Sequence, residues 1–274
     1  MKNVLQLYRF LNLISVDVAC GAVVCAAFFA RVFRIELRPQ GLAVLGITVW
    51  IIYSVDHLLD AHQLKRDAST KRHLLYQRKF RELCMLVMVA IVIDLCMLLF
   101  IRKQVFVWGM GLAIIVLLYL LFQRLLTPFK EAMGAFLYAG GVLLPVLSLH
   151  TPPLSTSLIL LMIAFVFTAL INLILFSWFD WEQDRNDIQA SLVTFFGKQN
   201  SKRGLNVLFL VQGLLLIGLL LGTAYKTETL ILGSMNIVLA ILLRAPDWFK
   251  KEDTYRLAGD FIFLFPLPYL IMNE

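Results

Sequence analysis

The chain has 274 residues, of which 60% are hydrophobic and only 16% charged, with a mean hydropathy of +0.82. These values exclude an ordinary soluble domain and leave an integral membrane protein. The formal net charge of +7 comes without a basic patch interleaved with aromatics, so nucleic acid is not an expected partner, and the excess reads as a topology and anionic-lipid signal.

About nine apolar segments are long enough to cross a bilayer core, which takes roughly 20 helical residues each. In chain order they run Leu7 to Ala30, Gly41 to Leu59, Leu83 to Ile101, Val105 to Phe122 and Ala132 to Leu149. They continue with Ser155 to Phe179, Leu205 to Ala224, Leu230 to Leu243 and Leu257 to Met272. The eighth is short, as expected of a tilted or partly buried span. The runs are continuously apolar and do not alternate every second residue, so they predict helices and exclude a lipid-facing barrel. The expected fold is all-α, one transmembrane helical domain over residues 1–274. The first run is too long for the apolar region of a cleavable signal and reads as the first span. Cys20, Cys25, Cys84 and Cys96 fall in or beside spans without metal-site spacing, so they read as buried small hydrophobes.

Lysine and arginine set the orientation. With the N-terminus inside, 19 of the 25 basic residues fall on the cytoplasmic side and 6 on the other. Seven of the 19 lie in the loop after the second span. The expected topology is therefore N-terminus cytoplasmic and C-terminus on the opposite side.

The stretch YSVDHLLDAH closes the second span and places Asp56 and Asp60 at positions i and i+4, on one face of a helix. Like charges so placed repel and call for a cation or for water. FSWFDWEQDRND closes the sixth span and repeats the spacing with Asp180 and Asp184. Spans two and six run in the same direction, so both pairs fall at the same depth on the same side, where four carboxylates can converge. Two facing DxxxD pairs suit Mg²⁺, a hard cation that takes oxygen ligands and binds through a few carboxylates plus substrate phosphates. A pair of helix-end carboxylates in the headgroup zone is the plain alternative for either motif alone.

Asp17, Asp94 and Asp260 also fall in or near the ends of spans, where a charge is costly and a functional role is the default. They point to a second class, an ion- or proton-coupled transporter, although no inverted repeat and no pair of Gly- or Pro-broken half-helices is evident. His57, His62 and His73 accompany the first motif without zinc spacing and read as interfacial partners of a carboxylate or phosphate. The stretch TPFKEAMGAFLYAGGVLLP opens the fifth span with Lys130 and Glu131. Its small residues suit close helix packing, the preferred reading of this stretch.

These motifs resemble those of the UbiA superfamily of intramembrane prenyltransferases, and the resemblance covers most of the chain. That family's first motif is NDxxDxxxD; here Asp56 and Asp60 match its second half, while Ile52 and Tyr53 stand in place of Asn-Asp. The second motif is similar over DWEQDRNDIQASLVTFFG: Arg185 follows Asp184, Ser191-Leu192 takes a Thr-Leu place, and Gly197 falls at the family's spacing. YLLFQR is similar to the family's YxxxKR, with Tyr119 and Arg124 matching and Gln123 replacing lysine.

The resemblance implies a bundle of about nine helices around a central cavity. It also implies transfer of an isoprenyl group from an isoprenyl diphosphate to a lipophilic or aromatic acceptor, with Mg²⁺ as cofactor. Asp56, Asp60, Asp180 and Asp184 take the catalytic and metal-binding roles; Tyr119, Arg124, Lys130 and Arg185 take substrate-binding roles. Phe176, Trp178, Phe179 and Tyr53 are available to shield an allylic cation by π contacts, although for any one of them ordinary packing is the favoured reading. The missing Asn-Asp and lysine leave a third class open, a non-catalytic membrane protein of the same fold. Oligomeric state is not legible.

Overall fold

The computed structural model describes residues 2–63, 69–123, 125–187 and 189–272, with the side chains of residues 2–4 and 63 left aside. The described residues are predominantly helical, with no strand among them. Eight helices are long and apolar enough to cross a membrane, or nine if the bent N-terminal pair is one span. The chain is an all-α integral membrane protein.

The first span departs from expectation. Its residues form α1 (Lys2–Leu13) and α2 (Val16–Val32), bent by 87°, with Ser15 at φ 59° making the turn. The reason is legible in α1 itself: Gln6 and Arg9 are interspersed with exposed Leu5, Leu7 and Phe10, the pattern of an interfacial helix and not of a span. α2 is apolar and buried along most of its length.

The other helices follow the predicted runs and extend them at the ends. They are α3 (Pro39–Gln63), the loop helix α4 (Lys71–Arg78), α5 (Phe80–Met97), α6 (Lys103–Phe122), α7 (Lys130–Leu147) and α8 (Thr156–Phe179). Two short helices, α9 (Trp181–Asn186) and α10 (Leu192–Phe196), lead to α11 (Lys198–Gly222), α12 (Lys226–Arg244) and the short α13 (Pro246–Phe249). The eighth span, read as short, reaches 19 residues because Lys226 and Arg244 at its two ends are taken into the helix. The last span is broken: α14 (Thr254–Phe261) passes through a 3₁₀ turn at Ile262–Leu264 into α15 (Leu267–Met272). Pro266 and Pro268 account for the break, since neither can donate a backbone N–H.

α8 is the most buried span and packs against α7, α11 and α12, while α2 packs against α3 and α7. Close approach is tightest at two glycines. A Cβ on Gly259 of α14 would meet Phe176 Cε1 at 2.5 Å and Asn172 Oδ1 at 2.7 Å, and one on Gly21 of α2 would meet Phe263 Cβ at 2.7 Å. α14 is thereby seated directly on α8, beside the end that carries Asp180. α6 is the least buried span, and its outward Leu, Ile and Val residues are the surface a hydrocarbon solvent stabilises.

Candidate functional site

The two aspartate pairs are built differently. Asp56 and Asp60 lie inside α3, one turn apart, because that helix runs past the apolar segment to Gln63. Asp180 ends α8 and opens α9, and the backbone bond from Asp184 N to Asp180 O (2.8 Å) preserves the one-turn spacing across the junction. Helix α10 then begins with a capping box: the Ser191 hydroxyl accepts from Thr194 N, and Thr194 Oγ1 accepts from Ser191 N. Gly197 follows at φ +83°, a conformation that favours glycine.

Asp56, Asp60, Asp180 and Asp184 all line one cavity of about 640 Å³, together with Tyr119 and Lys130. Its polar end also holds Arg72, Arg256, Glu131 and Asp260; its far end is walled by apolar side chains of α3, α5, α6 and α7. Among the described residues that line the cavity, seven carboxylates face three permanent cations, an excess that favours further positive charge.

The three cations are already engaged. Lys130 Nζ is 3.7 Å from Asp60 Oδ2, and His73 Nε2 is 4.0 Å from the same oxygen. Arg256 and Tyr255 both donate to Asp180, one to each carboxylate oxygen. Arg72 is buried, donates to Asn12 O at 2.8 Å and lies 4.0 Å from Asp260 Oδ2. Asn12 Nδ2 bridges Asp17 (2.6 Å) and Asp260 (2.7 Å), so these two intramembrane acids are tied into the wall of the same cavity. By contrast, Asp56 Oδ1 is buried with no hydrogen-bond partner among the described residues, while Gln123, the residue in the lysine's place, is in hydrogen-bonding reach of the Asp56 carboxylate.

Electrostatics outside the spans follow from burial. The Asp184 carboxyl is pushed up to about 7, first by burial and then by the charge of Asp180. His73 is pulled down to about 4 by burial and by the neighbouring guanidiniums of Arg256 and Arg72; Arg72 is itself lowered, by burial and then by Arg256. The imidazole at this end is therefore neutral at pH 7, able to donate from one nitrogen and accept at the other.

Glu131 acts on the loops. Its carboxylate accepts from Ser177 Oγ at 2.7 Å and from Leu192 N at 3.0 Å, which pins the start of α10 to α7 and α8. The loop preceding α4 joins the same end: Ser69 donates from its hydroxyl (2.6 Å) and its backbone (3.1 Å) to Asp187.

One sequence expectation comes out differently. Arg185 is exposed, stacks 4.9 Å from the Trp181 ring centroid and is not among the cavity-lining residues. The planar guanidinium is held over an indole because α9 turns its face away from the cavity. Arg124 lies outside the described residues. Conversely, Arg256, Tyr255 and Arg72 were not singled out from sequence. Arg256 could have been found as a lone arginine at the start of a span, one turn before Asp260; Arg72 is one of seven basic residues in its loop and carries no distinguishing signal.

Among the described residues no three His, Cys, Asp or Glu side chains stand close enough together to hold a metal ion by themselves. The donor set still fits Mg²⁺, because that ion keeps several waters and binds through one or two carboxylates plus substrate phosphates in place of a closed protein cage. The unpartnered Asp56 oxygen is the observation in its favour.

The architecture defines a class: an all-α intramembrane bundle around a cavity with aspartate motifs on α3 and α8, which is the UbiA fold. A UbiA homolog from Archaeoglobus fulgidus, solved bound to DMAPP and Mg²⁺, superposes with a TM-score of 0.63 at 15% identity, over 96% of this chain and 99% of that one. The apo UbiA homolog from Aeropyrum pernix K1 gives 0.64 at 13% identity, over 96% and 97%. A digeranylgeranylglyceryl phosphate synthase gives 0.55 at 16% identity, over 99% and 98%. No family sequence model and no curated protein matches the chain.

Proposed function

We propose that the protein is an intramembrane prenyltransferase, moving an isoprenyl group from an isoprenyl diphosphate to a lipophilic or aromatic acceptor. The observation that supports this reading is that both DxxxD pairs line the polar end of one cavity whose other end is apolar. A charged head and a long apolar tail are the two chemistries such a cavity accommodates. The solved relative from Archaeoglobus fulgidus holding DMAPP and Mg²⁺ supports the same assignment.

In this reading Asp56, Asp60, Asp180 and Asp184 would hold Mg²⁺, which when bound neutralises the diphosphate and stabilises it as a leaving group. Lys130, Arg72 and Arg256 donate to phosphate oxygens, the two guanidiniums offering planar forks, and the Tyr119 hydroxyl adds a neutral donor. The apolar wall holds the tail and excludes water from the allylic carbon, so that the acceptor and not water takes the isoprenyl group. As the new bond to the acceptor forms, the carbon–oxygen bond to the diphosphate breaks, the diphosphate carries away the electron pair, and the acceptor's attacked atom gives up its proton to the released diphosphate. The chain forms one transmembrane domain with the motif-bearing ends and the N-terminus facing the cytoplasm and the C-terminus opposite, as the distribution of basic residues supports.

Purified protein incubated with a panel of isoprenyl diphosphates and a lipid extract, with Mg²⁺ or a chelator, tests the proposal. Prenylated products that form only with Mg²⁺ are expected; their absence across the panel would overturn it.

A further inference from the structure

A second polar site stands in the apolar half of the cavity. Thr48 Oγ1 on α3 donates to Asp94 Oδ2 on α5 at 2.8 Å, and both residues line the cavity. The other oxygen, Asp94 Oδ1, is buried and has no hydrogen-bond partner among the described residues. Its neighbours along the two helices that line the same space, Val44, Leu45, Val49, Ile52, Leu95 and Leu98, are all apolar. Among the described residues no cation lies there: the cavity-lining Lys130, Arg72 and Arg256 belong to the polar end with the aspartate motifs.

Thr48 precedes Asp56 by eight residues and Asp60 by twelve in α3, so at 1.5 Å rise per residue the pair lies about 12 to 18 Å along the helix from the motif carboxylates. A carboxylate within hydrocarbon is costly and marks a functional site by default. A bond to Thr48 alone leaves half of that cost in place, because an orphaned acceptor still lacks the partner it had in water.

We infer that Asp94, oriented by Thr48, is a recognition site for a hydroxyl group carried on an apolar ligand, at a fixed distance from the diphosphate end. The class of donor follows from valence. One oxygen is left over, and a hydroxyl meets it in either protonation state, donating to a carboxylate or accepting from a carboxylic acid; an ammonium brings three hydrogens and would leave two unsatisfied in an apolar wall. The hydroxyl belongs either to the isoprenyl chain or to the acceptor, and the chemistry at Asp94 is the same for both. The inference rests on the reading of the cavity as an isoprenyl-diphosphate site.

The test compares geranylgeranyl diphosphate with its terminally hydroxylated form, each with Mg²⁺, by titration into the wild type, Asp94→Leu, Asp94→Asn and Thr48→Val. A second arm titrates a long-chain alcohol, against the matching alkane, in the presence of unmodified geranylgeranyl diphosphate. The wild type is expected to prefer the hydroxylated partner in one arm by about three- to tenfold, as one hydrogen bond supplies. The arm that shows the preference identifies the source of the hydroxyl. In Asp94→Leu the preference is expected to vanish while unmodified geranylgeranyl diphosphate binds as before. Asp94→Asn and Thr48→Val are expected to fall between. Equal binding of hydroxylated and plain probes to the wild type in both arms, with the parent diphosphate still bound, overturns the recognition site and leaves Thr48–Asp94 as a tie between helices. Failure of the wild type to bind geranylgeranyl diphosphate at all overturns the prenyltransferase reading, and this inference with it.

Discussion

Arg256 and Asp180 form an ion pair that joins α14 to the end of α8, and Tyr255 beside Arg256 donates to the second oxygen of the same carboxylate. The last span thus supplies the counter-charge for an aspartate nearly eighty residues earlier in the chain. On diphosphate binding the guanidinium has a second anion within its reach, so Arg256→Gln is expected to weaken Mg²⁺-dependent binding of geranylgeranyl diphosphate by roughly tenfold or more, the value of a charge-assisted bond. Arg256→Lys is expected to recover part of the loss, because the ammonium keeps the charge without the fork. Calorimetric titration measures both; unchanged affinity in Arg256→Gln would remove it from the phosphate-binding set.

Asp184 has no ion-pair partner among the described residues, which makes it the cleanest carboxylate to alter. Asp184→Asn keeps the size of the side chain and removes the charge that compensates a cation. The ligand-free melting temperature is expected to hold or rise slightly, since a like charge beside Asp180 is removed. The rise in melting temperature that Mg²⁺ and geranylgeranyl diphosphate give the wild type is expected to disappear. A thermal-shift series with and without both ligands decides it, and a full ligand-induced rise in the variant would sink the metal role of Asp184.

Gly259 and Gly140 offer a packing comparison. A Cβ at Gly259 meets Phe176 and Asn172 within 2.7 Å, whereas one at Gly140 meets nothing within 4 Å. Gly259→Ala is expected to destabilise the protein by about 1–3 kcal/mol through overpacking. Gly140→Ala is expected to be neutral or stabilising by up to about 1 kcal/mol, from helix propensity. Melting in detergent reads the difference directly, and equal melting temperatures would contradict the close contact of α14 with α8.

Ser69 and Asp187 are hydrogen-bonded, so the loops after α3 and after α9 must share one face of the membrane. Single cysteines at Ser69 and at exposed Arg185, in a background lacking exposed native cysteines, are expected to label from the cytoplasmic side only. Labelling of the two from opposite sides would separate the aspartate pairs and dissolve the site.

The number of apolar runs, their continuous hydrophobicity and the basic asymmetry were local properties, and the helical membrane class follows from them because solvent burial and helix period are written residue by residue. The aspartate spacings were legible for the same reason: an i, i+4 pair is a fact about one helix. The bend at Ser15 was less so, since α1 is apolar enough to continue a span and only its interspersed Gln6 and Arg9 argue for the interface. What the tertiary structure decided is everything that depends on two distant segments meeting. It brought Arg72 from a loop of seven basic residues into the cavity wall, paired Arg256 with Asp180, turned Arg185 outward onto Trp181, and set Thr48 against Asp94 in the apolar half. A charge in sequence carries no record of which carboxylate will face it, because that choice is made by helix packing, where contacts such as Gly259 against Phe176 and Gly21 against Phe263 fix which ends of which spans come together.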